Sequence, residues 1–137
     1  MPQKCKNLKL GYGDSIRLWR ELKNIDKIKH VFVGSGVRYD LLTDSYADEY
    51  LNELCSSHIS GRLKIAPEHC VDSVLELMNK PKFALYEKFI DKFENINKRI
   101  GKKQYLVNYF IAGHPGATLK DALQLAVYLA KKHIHPE

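Results

Sequence analysis

Three short β-rich runs, separated by segments of helical length, constrain the fold of this chain more than any other feature. The runs lie at residues 30–34, 62–66 and 105–111, and turn-forming residues follow each of them. Strands separated by helices of this length run parallel with right-handed crossovers. The order of elements therefore predicts an α/β fold of three parallel βα units.

Apolar residues at three- and four-residue spacing predict amphipathic helices around these runs. The four predicted ranges are 14–25, 44–58, 72–79 and 82–100. Gly101 is expected to end the last of them. A fifth helix is expected to begin at Thr118, whose hydroxyl forms a capping box with Asp121.

The whole chain, 1–137, is predicted to be a single domain, with a leading helix region at 1–28 and the three βα units at 29–137. Open α/β sheets and barrels usually need five or more strands to cover both faces. We therefore expect the chain to be part of a larger sheet or barrel.

Polar residues in mid-strand suggest which face of the sheet is open. Lys64 and Asn108 are flanked by apolar neighbours that should point to the opposite face. The pattern predicts one face packed on helices and one face lining a polar lumen. The edge of a small sheet exposed to water fits the same pattern.

Composition narrows the class of protein. Of the 137 residues 45% are hydrophobic, no apolar run approaches a membrane span, and no secretory signal is recognised, so we expect a cytoplasmic protein without a membrane partner. Cys5, Cys55 and Cys70 are widely spaced and odd in number, which predicts reduced thiols and no metal site in this chain. The net charge of +6 is spread along the chain, so it favours a solvated basic surface over nucleic-acid binding.

The residues that follow each predicted strand are candidates for a binding cleft, because ligands gather at the carboxyl ends of parallel strands. They are Ser35, Gly36 and Arg38 after the first strand, Glu68 and His69 after the second, and Gly113, His114, Pro115 and Gly116 after the third. Singly, each has a structural explanation: turns for the glycines, a turn position for His114, pairing with Asp40 for Arg38, and capping of the next helix for Glu68 and His69. Together at one sheet edge they predict a cleft.

In these runs the sequence resembles the radical SAM superfamily, and most closely the YgiQ-like radical SAM proteins. The resemblance starts at about residue 30 and covers nearly all of the chain beyond it. The similar blocks, in the same order, are VFVGSGVRYD at 31–40, GRLKIAPEH at 61–69, LMNKP at 77–81, GKKQYLV at 101–107, HPG at 114–116 and TLKD at 118–121.

The resemblance implies a partial (β/α) TIM-like barrel in which a 4Fe-4S cluster reductively cleaves S-adenosylmethionine. The resulting 5′-deoxyadenosyl radical abstracts hydrogen from a substrate that the sequence leaves unknown. Three cysteines of a CxxxCxxC loop hold the cluster in that family, and this chain has no such motif. We therefore expect the middle-to-C-terminal part of a radical SAM barrel, inactive alone.

By resemblance, Ser35, Arg38, Glu68 and His69 would line the cofactor and substrate side of the lumen. The turn from Gly113 to Gly116 would lie near the adenine or substrate end. Lys64 and Asn108 would face the lumen deeper down, with Gly36 beside Arg38. No catalytic residue is assigned.

Two other functions fit the same residues. One is a non-catalytic module that binds a nucleotide or RNA through Arg38, Lys64 and the basic surface. The other is a structural remnant that dimerises through its open sheet edges. The expected partners are S-adenosylmethionine, an unknown substrate, the rest of the parent barrel and a second copy of the chain.

Overall fold

The computed structural model describes Cys5 and residues 7–135, with Tyr46 described through its backbone only. The chain is a mixed α/β protein. The helices are α1 (Tyr12–Lys23), α2 (Asp48–Glu53), α3 (Asp72–Leu77), α4 (Ala84–Ile100) and α5 (Leu119–Lys132), and the strands are β1 (Arg62–Glu68) and β2 (Tyr105–Phe110). None of these helices in the described part of the chain has the length and hydrophobicity that crossing a bilayer requires.

The two strands form a small parallel sheet, and α3 and α4 lie in the connection between them. The register pairs Lys64 with Val107 and Ile65 with Asn108, and then shifts so that Glu68 pairs with Phe110. The predicted strands at 62–66 and 105–111 are confirmed, and so is their parallel direction.

The prediction of a third strand at 30–34, and with it of three βα units, is wrong for the described residues. Residues 30–37 make two backbone hydrogen bonds to this part of the chain: the Val33 amide donates to the His58 carbonyl before β1 (2.9 Å), and the Val37 amide donates to the Lys64 carbonyl of β1 (3.0 Å). Two isolated bonds do not make a ladder. Gly34 and Gly36 weaken extended pairing in this segment because they contribute no side chain to pack.

The helix boundaries follow the local signals closely. Gly101 ends α4 in the left-handed conformation, at φ 67°. Thr118 and Asp121 form the predicted capping box: the Asp121 amide donates to Thr118 Oγ1 (3.3 Å) and the Thr118 amide to Asp121 Oδ2 (2.8 Å). The predicted helix at 44–58 is less regular, because a 3₁₀ turn precedes α2 and a π-helical turn, Leu54–His58, follows it.

The core lies on one face of the sheet. Leu63 and Ile65 point from β1 into a cluster that includes Tyr86, Phe89 and Phe93 of α4. The side chain between them, Lys64, is exposed on the other face, as the strand pattern predicts. This polar face of the sheet carries the candidate site.

Candidate functional site

A cavity of about 400 Å³ opens on the polar face of the sheet. The segment from Gly34 to Arg38 forms one wall, residues Lys64 to Ala66 of β1 form another, and Tyr109 of β2 contributes from the neighbouring strand. The structure thus brings the predicted Ser35, Gly36, Arg38 and Lys64 together. We call this the open-face cavity.

Arg38 is held by a carboxylate. Its Nε and one terminal nitrogen donate to the two oxygens of Asp40, at 2.8 and 2.6 Å, and this pairing raises the pKa of Arg38. The structural explanation for Arg38 is therefore confirmed. A guanidinium has five N–H donors, so three remain for a ligand beside the cavity.

Glu68 adopts an unusual backbone conformation at the end of β1. Its φ is 68°, and the His69 amide donates to the Pro67 carbonyl (2.9 Å) to close a three-residue turn around it. The Glu68 carboxylate accepts from Lys80 Nζ at 2.9 Å, and only 15% of its side chain is exposed. Non-glycine residues at positive φ cost free energy and gather at functional sites.

A second, smaller cavity of about 140 Å³ lies between the two ion pairs. Arg38 and Asp40 line one side and Lys80 lines the other. Tyr39 also lines it, and its hydroxyl is buried without a hydrogen-bond partner among the described residues. Burial raises the pKa of this phenol well above its ordinary range, with Asp40 and Glu68 adding to the effect. Tyr39, Asp40 and Lys80 were not among the predicted site residues, although all three stand in the runs that resemble the radical SAM family.

His69 lies apart from both cavities. It is 1% exposed, its Nδ1 accepts from the Val71 amide (3.1 Å), and burial lowers its pKa while nearby Asp121 opposes the shift. Helix α3 begins after Val71 without any side-chain cap, so the predicted capping role of Glu68 and His69 is wrong.

The turn after β2 lies near His69, because His114 is close enough to lower the His69 pKa further. The Ala117 amide donates to the His114 carbonyl (2.9 Å), and Gly116 adopts φ 88° within this turn. A Cβ on Gly116 would lie 2.7 Å from Leu77 Cδ1, so glycine fits both the backbone and the packing there. Residues 113–116 line neither of the two cavities described above.

The predicted direction of Asn108 is wrong. Asn108 shares a face with its register partner Ile65, is 6% exposed, and accepts a hydrogen bond from the Tyr86 hydroxyl of α4 (3.0 Å). A buried amide is tolerated where it finds such a partner. Asn108 therefore belongs to the helix-packed face of the sheet.

The described residues do not fit an iron-sulfur cluster. Cys5 is exposed, Cys55 is buried with its pKa raised to about 12 by that burial, and Cys70 is half-buried. Within the described part of the chain, no three His, Cys, Asp or Glu side chains are placed to hold a metal ion.

Several known proteins with similar sequences are named UPF0313 proteins. The chain is 46% identical over 136 residues to a UPF0313 protein of Clostridium botulinum, covering 99% of this chain and 21% of that relative. It is 48% identical over 128 residues to a UPF0313 protein of Methanosarcina acetivorans (93% and 17% covered) and 45% identical over 128 residues to one of Methanocella arvoryzae (93% and 21%). The chain thus spans about a fifth of the length of these relatives. No family model and no solved structure matches it significantly.

Proposed function

We propose that this chain is a barrel segment of a UPF0313 protein of the radical SAM type. Two similarities support this: identity of 45–48% to UPF0313 proteins along nearly the whole chain, and the resemblance of its strand-end runs to the YgiQ-like radical SAM proteins, which belong to UPF0313. In this proposal the two strands are part of a (β/α) barrel.

The observation that carries the proposal is the open-face cavity. Parallel α/β folds bind ligands at the carboxyl ends of their strands, and the cavity joins the Gly34–Arg38 segment to β1 on the polar face of the sheet. Lys64 supplies an ammonium group and Arg38 supplies unused N–H donors. These groups suit the carboxylate of an amino-acid-like ligand such as S-adenosylmethionine.

Lys80 would position the ligand from the adjoining small cavity, and Glu68 would hold Lys80 in place through their ion pair. Because the ion pair and the strained turn at Glu68 fix this corner, it offers a rigid polar wall. The cluster, when bound, would supply reductive cleavage of the cofactor, and its ligands would come from parts of the longer protein outside this chain.

The test uses the full-length protein, purified without oxygen and reduced. We expect iron near four per chain, on the stoichiometry of a 4Fe-4S cluster, and release of 5′-deoxyadenosine from S-adenosylmethionine. Lys64→Gln and Arg38→Gln should weaken S-adenosylmethionine binding. The matched controls, Lys88→Gln and Arg17→Gln, change exposed residues of α4 and α1 that line neither cavity and should leave binding unchanged.

Absence of both iron and cleavage in the full-length protein would overturn the proposal. Salt-dependent RNA binding that S-adenosylmethionine does not affect, and that Lys64→Gln abolishes, would instead support the non-catalytic binding module. If Lys64→Gln and Arg38→Gln both cleave S-adenosylmethionine as fast as the unmutated protein, the protein is still a radical SAM enzyme. The open-face cavity is then not its cofactor site.

A further inference from the structure

A basic cavity of about 410 Å³ lies near the opposite ends of the strands. Part of its wall is Ser56, Ser57, Ile59 and Ser60, which lie shortly before β1, and Lys102, which precedes β2 by three residues. Lys23 at the end of α1 and Lys29 complete its positive charge. This amino-end cavity shares no lining residue with the open-face cavity.

The positive charge of the amino-end cavity is not neutralised by carboxylates. No Asp or Glu lines it, and in the described part of the chain Lys23, Lys29 and Lys102 form no salt bridge, whereas Lys80 and Lys92 each pair with an acid. Three ammonium groups without counter-charges attract an anion.

Two of the ammonium groups converge on one turn of the backbone. Lys23 Nζ contacts Ser57 Oγ at 3.4 Å and Lys102 Nζ donates to the Ser56 carbonyl at 2.5 Å. Because Ser56 and Ser57 are adjacent, the two charges lie beside the same short segment. Serine hydroxyls and lysine ammonium groups are among the common donors to phosphate oxygens.

An aromatic pair forms part of the same wall. The rings of His30 and Phe32 are stacked, with their centroids 5.2 Å apart and an angle of 8° between their planes, and both residues line the cavity. Phe32 is 49% exposed, which is unusual for a phenylalanine. Exposed aromatic rings next to a basic groove are the surfaces on which nucleic-acid bases stack.

We propose that the amino-end cavity binds a nucleotide, with its phosphate against Lys23, Lys29 and Lys102 and its base on the His30–Phe32 pair. The nucleotide is either free or part of a single-stranded RNA, since both present the same phosphate and base. A simple anion would explain the lysines and serines but leaves the exposed aromatic pair without a role. The amino-end cavity is separate from the open-face cavity that is proposed to bind the cofactor. Either proposal can therefore be wrong without affecting the other.

The probe is a fluorescein-labelled oligouridylate of about twelve nucleotides, within the range of single-strand binding sites, titrated with the chain while fluorescence anisotropy is recorded. Three phosphates neutralised by lysine should give a salt slope of about −2, so raising salt from about 50 to 200 mM should weaken binding roughly 20-fold. AMP is the competitor that represents the free nucleotide.

The key variant is the triple change Lys23→Gln, Lys29→Gln and Lys102→Gln, which lowers the formal net charge from +6 to 6 − 3 = +3. Its matched control makes the same three changes at exposed lysines elsewhere, namely Lys88, Lys120 and Lys131. Circular dichroism establishes that both variants remain folded. Binding should be lost only in the first.

The variant Phe32→Ala should weaken oligonucleotide binding about fivefold or more, because base stacking is lost, and should leave the salt slope unchanged. Competition by AMP would assign the site to a free nucleotide, and its failure would assign the site to single-stranded RNA. Equal loss of binding in both triple variants would show attraction by bulk charge alone and overturn the proposal, as would no binding by the parent chain or an unchanged affinity in Phe32→Ala.

Discussion

The hydrogen bond between Tyr86 and Asn108 gives the sharpest test of the fold, because it determines which face of the sheet Asn108 occupies. Tyr86 is fully buried, Asn108 is 6% exposed, and their side chains bond at 3.0 Å. Replacing Tyr86 by Phe leaves the buried Asn108 oxygen without its donor. An unsatisfied buried polar group costs about 1–3 kcal/mol, so Tyr86→Phe should lower the free energy of unfolding by about that amount.

The partner change Asn108→Val should cost a similar amount, because it leaves the Tyr86 hydroxyl unsatisfied. In the double variant no unsatisfied polar group remains, so its loss should be smaller than that of either single variant. The coupling energy is expected to be about 1 kcal/mol or more. Urea denaturation followed by circular dichroism measures all four free energies, with equal m-values as the check on two-state behaviour.

Tyr128→Phe is the matched control. The Tyr128 hydroxyl is buried and has no hydrogen-bond partner in the part of the chain that the structure describes, so its removal should leave stability unchanged or raise it slightly. If Tyr86→Phe costs no more than Tyr128→Phe, or if the cycle is additive, Asn108 does not pack on α4 and this account of the sheet is wrong.

Three further changes test local features. Thr118→Ala removes the capping box with Asp121 and should cost about 1 kcal/mol in urea denaturation, whereas Thr118→Ser should cost much less. Both Glu68→Ala and Glu68→Gly lose the Lys80 ion pair, but only glycine adopts φ 68° without strain, so the Gly variant should be more stable by about 1 kcal/mol; equal stabilities would argue against the strained turn. Burial lowers the pKa of His69 in the folded chain below the ordinary imidazole value near 6.5. As pH falls from about 7 through that value, the unfolded chain therefore protonates this imidazole before the folded chain does. Stability should therefore fall in that window, and the fall should be smaller in His69→Asn.

Local sequence signals were sufficient where a few neighbouring residues decide the conformation. The capping box at Thr118 and the left-handed glycine at Gly101 follow from hydrogen bonds and φ preferences within a few residues. The direction of Lys64 was also predicted correctly, because apolar neighbours on both sides leave it only the open face.

The candidate site was predictable only in part. The rule that ligands gather at strand ends selected Ser35, Gly36 and Arg38, and the alternation within the strand selected Lys64; the structure places all four around one cavity. It did not separate them from residues 113–116, which line neither that cavity nor the small one beside it. The reason is that chain order gives the edge of the sheet but not how each loop folds beyond it.

By itself, the sequence determined the helices, the capping box at the start of α5 and the glycine that ends α4, since these depend on interactions between residues close in the chain. Only the tertiary structure decided that residues 30–34 remain outside the ladder, that Asn108 turns toward Tyr86, and that Lys80 meets Glu68. Each of these contacts joins residues at least twelve positions apart. Their free energy depends on which partner the fold brings within hydrogen-bonding distance, and no local pattern contains that information.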